Sequence, residues 1–177
     1  IRMIMRIIAS DSGTVLLDGV PVDDDRRRII GYLPEERGLY KKMKVIDHLT
    51  FFGSLKGLAR GEARRRSQAW LERLGLAERA QSKVEDLSKG MQQKIQFAGT
   101  LLHEPELVLL DEPFSGLDPL NVDAFKDVLL GLKAKGCTLI FSTHMMEQAE
   151  QICDEIALID KGRLVLARRD HPSLTTP

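Results

Sequence analysis

Two adjacent carboxylates after an apolar run are the residues of this sequence best suited to chemistry. The run Leu107–Leu110 has the length and composition of a buried strand, and Asp111 and Glu112 follow it directly. In open α/β sheets, ligands bind at the carboxyl ends of the strands. Phosphoryl-transfer enzymes place one carboxylate there to hold Mg²⁺ and often a second to deprotonate an attacking water. Asp111 suits the first role and Glu112 the second, although such a pair, taken alone, is more often a solvated acidic turn.

A second feature, upstream of this pair, could hold an anion. Ser88 directly precedes the helical pattern Lys89–His103 and is a good N-cap residue. The N-terminal amides and the positive dipole end of such a helix attract phosphate groups. A plain N-cap without any ligand is the alternative, and Ser88 alone does not decide between the two.

Taken together, four short segments resemble the motifs of the ATP-binding subunits of ABC transporters. In chain order they are LSKGMQQ at Leu87–Gln93, similar to the family signature LSGGQ; the Walker B pair Asp111-Glu112; SGLD at Ser115–Asp118, similar to the D-loop; and STH at Ser142–His144, similar to the switch histidine. The resemblance extends from Ile1 to about Leu166. The phrases YLPEERGLY, at residues 32–40, and LSKGMQQ are most similar to the type-2 exporter branch, which includes sodium and drug extruders.

The resemblance implies a role for each motif residue. Glu112 is expected to be the catalytic base, and the imidazole of His144 to hydrogen-bond the γ-phosphate of ATP as charge develops there. In the family, the signature element contacts ATP bound to the other subunit, so that two subunits sandwich two ATP molecules. The residues expected to bind Mg-ATP are Ser88, Lys89, Gly90, Met91, Gln92, Asp111, Asp118 and Glu35. The candidate Mg²⁺ ligands among them are Asp111 and Glu35.

Three of these positions depart from the family pattern. Glu35 stands where the family has the Q-loop glutamine, which touches Mg²⁺ and the attacking water and links the catalytic core to the helical subdomain. A carboxylate can ligate Mg²⁺, but it adds negative charge near the γ-phosphate and cannot donate a hydrogen bond. Lys89 and Met91 replace a glycine-like position and the terminal glutamine of the signature, whereas Ser88 and Gly90 are kept.

The elements that must position these residues follow from the hydrophobic pattern. The apolar stripe Ile1, Ile4, Met5 and Ile8 predicts an opening helix. Asp18-Gly19, between two short apolar runs, predicts a β-hairpin. Further runs predict helices at 45–56, 62–74, 89–103, 122–135 and 145–153, and strands at 29–33, 107–110, 138–141, 156–159 and 164–166. Apolar strands with helices between them indicate a parallel sheet covered on both faces.

Combined with the resemblance, this pattern predicts an α/β fold of the P-loop NTPase type. It would have a parallel-sheet core, an inserted helical subdomain and an antiparallel β part, without the N-terminal strands and phosphate loop. We divide the chain into four parts: 1–44, a partial catalytic core with the hairpin and Q-loop region; 45–103, a helical subdomain that ends in the signature helix; 104–168, a catalytic core with Walker B, D-loop and switch histidine; and 169–177, a flexible tail.

The bulk composition narrows the classes of protein further. Lys plus Arg and Asp plus Glu number 26 each, so we expect no general attraction to nucleic acid or anionic lipid. No apolar run approaches the roughly 20 residues that span a bilayer, and no secretion signal is visible. With the resemblance, this predicts a cytoplasmic protein held peripherally at the inner face of the plasma membrane by permease subunits. Cys137 and Cys153 lack the spacing of a metal site and are expected to be ordinary buried thiols.

The phosphate-cradling sequence G-x-x-x-x-G-K-S/T occurs nowhere in the chain. In the family it would end immediately before Ile1, so we expect the sequence to be a piece of a longer subunit. A natural ATP-independent subunit is the alternative. Since the loop amides and its lysine neutralise the β- and γ-phosphates, the 177-residue chain alone is expected to bind ATP poorly and not to hydrolyse it.

These features predict the ATP-hydrolysing subunit of an exporter, working as a homodimer or heterodimer of ATPase subunits on transmembrane permease subunits. A translation-type or DNA-maintenance ABC ATPase is one alternative, but it would call for coiled coils, tandem ATPase domains or basic arms, and none is visible. A pseudo-ATPase that only binds a partner is another, and the sequence upstream of Ile1 would distinguish it. Substrate specificity belongs to the membrane subunits, and sodium or a drug is suggested by the branch resemblance alone.

Overall fold

The part of the chain that the structure describes, residues 1–36 and 38–169 of a computed structural model, alternates strands and helices. Its strands are β1 (Leu16–Leu17), β2 (Val20–Pro21), β3 (Ile30–Leu33), β4 (Leu107–Asp111), β5 (Thr138–Ser142), β6 (Glu155–Asp160) and β7 (Arg163–Arg169). Its α-helices are α1 (Val45–Leu55), α2 (Arg60–Arg73), α3 (Lys89–Leu101), α4 (Pro119–Ala134) and α5 (Met146–Ile152). The α/β fold predicted from the sequence is confirmed.

Strands β3, β4 and β5 form a parallel sheet with β4 in the middle. Leu33 pairs with Leu110 in the first ladder, and Asp111 pairs with Ser142 in the second. The carboxyl ends of all three strands therefore meet at one edge of the sheet. That edge carries the segments that begin at Pro34, Glu112 and Thr143.

Different parts of the chain cover the two faces of this sheet. Val108 and Leu110 face α3 and α4, where Phe97 and Phe125 stack with ring centroids 4.1 Å apart. Leu109, on the opposite face by the alternation of a strand, packs with residues of the N-terminal segment and the first hairpin, among them Met5 and Val22. Coverage on both faces is confirmed for β3 and β4. It does not extend fully to β5, since Ile140 is 43% exposed.

Helices α1, α2 and α3 enclose a second apolar cluster, which includes Leu49, Leu71 and Ile95. Helix α3 belongs to both clusters, because Ile95 faces the other helices and Phe97 faces the sheet. The helix that follows Ser88 is thus packed against the strand that ends at Asp111. The division of the chain at residues 45, 104 and 169 stays a prediction.

The N-terminal stripe does not form the helix that we predicted. Met5 N–H donates to the Ile1 carbonyl over 3.1 Å, as in one helical turn, but Ile7 N–H reaches back to Arg2. Arg6 has φ +53°, a left-handed conformation that ends a right-handed helix. Of the four apolar residues, Ile8 is exposed and only Met5 is buried. The stripe is thus only partly covered, and the segment forms a series of turns instead of a helix.

Two antiparallel hairpins lie outside the parallel sheet. The first joins β1 to β2 through Asp18 and Gly19, both at positive φ, as the Asp-Gly pair predicted. The second joins β6 to β7 through Lys161 and Gly162. Within residues 1–36 and 38–169, β6 pairs with β7 alone, so the strand predicted at 156–159 belongs to the antiparallel part of the fold.

Three remaining sequence predictions concern the two cysteines, membrane-spanning helices and the C-terminal tail. Cys137 and Cys153 are free thiols, half-buried rather than buried, and desolvation raises the pKa of both. None of the helices within residues 1–36 and 38–169 is long and apolar enough to cross a bilayer. The predicted flexible tail lies, from residue 170 onward, outside the described residues.

Candidate active site

The end of β4 bends sharply at the second carboxylate. Glu112 has φ +48°, in the left-handed region that non-glycine residues rarely adopt. Such a conformation costs on the order of 1–3 kcal/mol, and residues of this kind cluster at functional sites. The Glu112 N–H donates to the Ser142 carbonyl over 3.1 Å, which holds the bend against the end of β5.

The side chains of Glu112 and His144 meet above this edge of the sheet. Glu112 Oε1 lies 3.0 Å from His144 Nδ1. The carboxylate is 21% exposed and the imidazole 76% exposed. Because an ionised carboxylate only accepts hydrogen bonds, Nδ1 must carry the proton of this contact. Nε2 then remains available to solvent or a ligand, as an acceptor in the neutral ring and as a donor in the protonated ring.

Asp111 is the last residue of β4 and is half-buried. Its Oδ1 accepts a hydrogen bond from the Ser142 hydroxyl over 2.5 Å. Within residues 1–36 and 38–169, no three His, Cys, Asp or Glu side chains cluster closely enough to hold a metal by themselves. One carboxylate that leaves the other positions to phosphate oxygens and water fits Mg²⁺, which keeps several waters in such sites. Asp111 therefore suits the metal-binding role predicted for it.

The signature residues form the first turn of α3. Ser88 is the N-cap, and its hydroxyl accepts a hydrogen bond from the Met91 N–H over 3.3 Å. Ser88 and Lys89 are exposed, and nothing lies within 4 Å of the position that a Cβ would take on Gly90. The turn is therefore open to a ligand. Both readings of Ser88, as cap and as phosphate site, are compatible with this geometry.

The Gln92 side chain binds the backbone of the segment that precedes α3. Its side-chain amide donates to the Leu87 carbonyl over 3.0 Å and to the Val84 carbonyl over 3.2 Å. These bonds fold the segment that precedes α3 back onto the helix. Contact between Gln92 and a nucleotide stays a prediction, and the structure gives this side chain a bracing role.

Gln93, the next residue, was not assigned a role from the sequence. It is buried, and its amide donates to the Pro113 carbonyl over 3.0 Å. Pro113 directly follows Glu112. A hydrogen bond thus connects the signature helix to the segment that carries the candidate base, across 20 residues of chain. The only sequence signal was the position of Gln93 on the sheet-facing side of the helix.

Glu35 lies at the same sheet edge, two residues after β3 ends at Leu33. Its side chain is exposed. The segment around it is held by Gln96 of α3, whose amide donates to the carbonyls of Pro34 and Glu36 over 3.2 Å each. The same helix therefore braces both the Glu35 segment and the Glu112 segment.

Asp118 has a structural role as the N-cap of α4. Its Oδ1 accepts a hydrogen bond from the Asn121 N–H over 3.1 Å. That backbone hydrogen bond, with a further one from the Asn121 side chain, lowers the pKa of the Asp118 carboxyl. An exposed ionised cap at a helix N-terminus needs no nucleotide to explain it. The predicted contact with nucleotide rests on the resemblance of the SGLD segment.

The chain belongs to the ABC transporter ATP-binding family. The family model described as "ABC transporter" matches residues 1–115. The ABC transporter ATP-binding protein YhaQ of Bacillus subtilis is 47% identical over 93% of this chain. The linearmycin resistance ATP-binding protein LnrL of the same species is 36% identical over 93%. The Nod factor export ATP-binding protein I of Cupriavidus metallidurans is 33% identical over 97%.

The chain spans 55%, 54% and 57% of the length of these three relatives, respectively. Among solved structures, an ATP-binding subunit of an ABC transporter superposes with a TM-score of 0.86 at 32% identity, over 95% of this chain and 71% of that one. The cbiO1 protein of Clostridium perfringens, part of the complex cbiONQ, gives 0.79 at 28% identity, over 95% and 70%. The fold predicted from the resemblance is confirmed by both.

Proposed function

We propose that the protein is the ATP-hydrolysing subunit of an ABC exporter and that Glu112 is the general base of hydrolysis. The observation that carries this proposal is the contact of 3.0 Å between Glu112 Oε1 and His144 Nδ1. It lies at the carboxyl end of a parallel strand, at the residue that directly follows Asp111. Perturbed backbone geometry at Glu112 supports a functional rather than a purely structural role.

In this proposal the side chains of the site have distinct tasks. Asp111 would hold Mg²⁺, which would neutralise phosphate charge when it is bound with ATP. A Glu112 carboxylate oxygen accepts a proton from water while the water oxygen bonds to the γ-phosphorus and the bond from that phosphorus to the ADP oxygen breaks. His144 Nδ1 orients the carboxylate, and in the protonated ring Nε2 would donate a hydrogen bond to the γ-phosphate and stabilise the charge that develops there. The paired side chains thus combine proton transfer and charge stabilisation.

A second ATPase subunit completes the site in this proposal. The exposed first turn of α3, with Ser88 and Gly90, contacts the γ-phosphate of ATP held by the partner, in a homodimer or a heterodimer. Open space at Gly90 supports this role, since a phosphate must approach the backbone closely. Gln93 and Gln96 of the same helix then connect phosphate contact in one site with the Glu112 and Glu35 segments of the other.

ABC ATP-binding subunits work with transmembrane permease partners. That the transport is export is supported by relatives whose names concern linearmycin resistance and Nod factor export. The protein would then lie at the inner face of the plasma membrane, held by its permease. Gene neighbourhood tests this part: a neighbouring gene for a polytopic membrane protein is expected, and co-purification with that protein would support it.

The replacement Glu112→Gln in the complete subunit tests the hydrolytic assignment. The amide keeps the size of the side chain but cannot accept the proton, so bound Mg-ATP should persist. We expect a dimer trapped by Mg-ATP on size-exclusion chromatography, against a dimer that decays in the parent. A variant that dimerises only as transiently as the parent would contradict the assignment.

The activity of the isolated 177-residue chain differs from that proposed for the complete subunit. Because its sequence contains no G-x-x-x-x-G-K-S/T segment, we propose that it does not turn over Mg-ATP by itself. Release of inorganic phosphate by the purified polypeptide, above the rate of its Glu112→Gln variant, would contradict this.

A further inference from the structure

The residue opposite Asp111 in the neighbouring strand has a hydroxyl that contacts both acidic residues of the candidate site. Asp111 and Ser142 are register partners at the ends of β4 and β5. The Ser142 hydroxyl donates to Asp111 Oδ1 over 2.5 Å. It also accepts a hydrogen bond from the Glu112 N–H over 3.3 Å. One small side chain therefore joins the carboxylate of the first acid to the backbone of the second.

The direction of these hydrogen bonds shows which residue depends on the hydroxyl. An ionised carboxylate can only accept, so the single proton of the Ser142 hydroxyl must point at Asp111. The Glu112 N–H also reaches the Ser142 main-chain carbonyl over 3.1 Å. Loss of the hydroxyl would leave that N–H paired but would remove a donor from Asp111. The effect is thus concentrated on the Asp111 carboxylate.

We propose that Ser142 is a positioning residue for Mg²⁺, which holds Asp111 so that its second carboxylate oxygen is presented to the metal or to metal-bound water. This inference rests on the proposed function, in which Asp111 is the Mg²⁺ carboxylate. Hydrogen bonds to charged oxygens are stronger than neutral ones. Partners that orient ligating carboxylates typically change metal affinity 10–100-fold, as an order of magnitude.

The next residue provides a matched comparison. Thr143 also carries a hydroxyl, but its Oγ1 accepts a hydrogen bond from the Met145 N–H over 3.1 Å and so caps the following turn. Removal of that hydroxyl changes the same segment without touching Asp111. A difference between Ser142 and Thr143 variants therefore separates metal positioning from a general loosening of the segment.

The test measures metal binding directly, in the complete subunit that carries Glu112→Gln so that ATP is not consumed. Mn²⁺, which favours the same oxygen ligands as Mg²⁺, is titrated with ATP present and followed by electron paramagnetic resonance. Ser142→Ala is expected to weaken Mn²⁺ binding about tenfold. Ser142→Thr keeps the hydroxyl and should bind like the parent, as should Thr143→Val. Parent-like affinity in Ser142→Ala would overturn the inference.

A second substitution covers the case in which Ser142→Ala does not fold. Ser142→Cys keeps the approximate size of the side chain and replaces the hydroxyl by a weak donor, so Mn²⁺ binding should again weaken. Unchanged affinity in that variant overturns the inference equally. The proposed function has its own readout, because ATP turnover retained in Glu112→Gln would contradict the base. The Mn²⁺ titration then takes a non-hydrolysable ATP analogue in place of ATP and still reports on Ser142.

Discussion

The buried Gln93 side chain donates its amide hydrogen to the Pro113 carbonyl over 3.0 Å, and this joins the helix that begins after Ser88 to the residue that follows Glu112. Two motifs that are separate in sequence are thereby joined by a buried hydrogen bond. A displacement of α3 on contact with a partner's nucleotide would be transmitted directly to the bend at Glu112.

Replacement of Gln93 should therefore weaken both stability and turnover. Gln93→Met keeps the length of the side chain but leaves the Pro113 carbonyl without this donor, which costs about 1–3 kcal/mol at a buried site. We expect a lower urea midpoint and a lower rate of phosphate release in the complete subunit. The control is Gln68→Met, at an exposed position on α2. Equal stability of the two variants would refute the importance of the link.

Alanine substitutions at two glycines test whether the first turn of α3 contacts a phosphate. Gly90 and Gly61 occupy the second position of α3 and α2, and neither has an atom within 4 Å of an added Cβ. Alanine should leave stability unchanged or raise it by up to about 1 kcal/mol at both sites. If the Gly90 backbone approaches a partner's phosphate, Gly90→Ala alone should slow turnover, by about tenfold for a loss of about 1.4 kcal/mol. Parent-like rates in both variants would argue against that contact.

The buried histidine of α1 predicts a dependence of stability on pH. His48 is 2% exposed and packs against Phe52, with ring centroids 4.7 Å apart. Its Nδ1 has no hydrogen-bond partner among residues 1–36 and 38–169. It lines a cavity of about 280 Å³ together with Tyr32 and Lys56. Burial disfavours the charged imidazolium and lowers the pKa of His48 to about 4. The folded state therefore binds a proton at His48 only at a lower pH than the unfolded chain does.

This difference in pKa sets the direction in which the free energy of unfolding changes with pH. The stabilisation is complete above the unfolded value of about 6.5 and is lost as pH falls from there towards 4, by roughly 2 kcal/mol between pH 7 and pH 5. In urea unfolding of the complete subunit, His48→Phe should remove that part of the slope. His144→Gln, at an exposed imidazole, should keep it. Identical slopes in the parent and in His48→Phe would show that His48 is not the source.

The sequence predicted the local elements well where apolar spacing had a surface to match. Helix α3 and strand β4 begin and end within about two residues of their predicted bounds, because Ser88 and the run before Asp111 mark their limits. The stripe from Ile1 to Ile8 failed because no element covers Ile8 and because Arg6 leaves the helical region. Periodicity indicates that a face could be buried, but packing decides whether it is.

The candidate site could be predicted only in part. Asp111, Glu112 and His144 were found because they directly follow strands or belong to recognisable motifs. Gln93 and Ser142 were missed because their partners lie 20 and 31 residues away. Such pairings depend on strand register and helix orientation, which a single sequence does not specify. Conversely, membership of a motif does not exclude a structural contact, because the Gln92 amide donates to the carbonyls of Leu87 and Val84 in the preceding loop.

The central claim is that Glu112 and His144 act as one hydrolytic unit, and the phosphate-release rate of four matched proteins tests it most directly. The proteins are the complete parent subunit, Glu112→Gln, His144→Ala and the double variant, compared at saturating Mg-ATP. We predict that Glu112→Gln loses turnover by at least about 100-fold and that the double variant is scarcely slower than Glu112→Gln alone, because residues of one unit are not additive. Turnover in Glu112→Gln at the rate of the parent would contradict the claim.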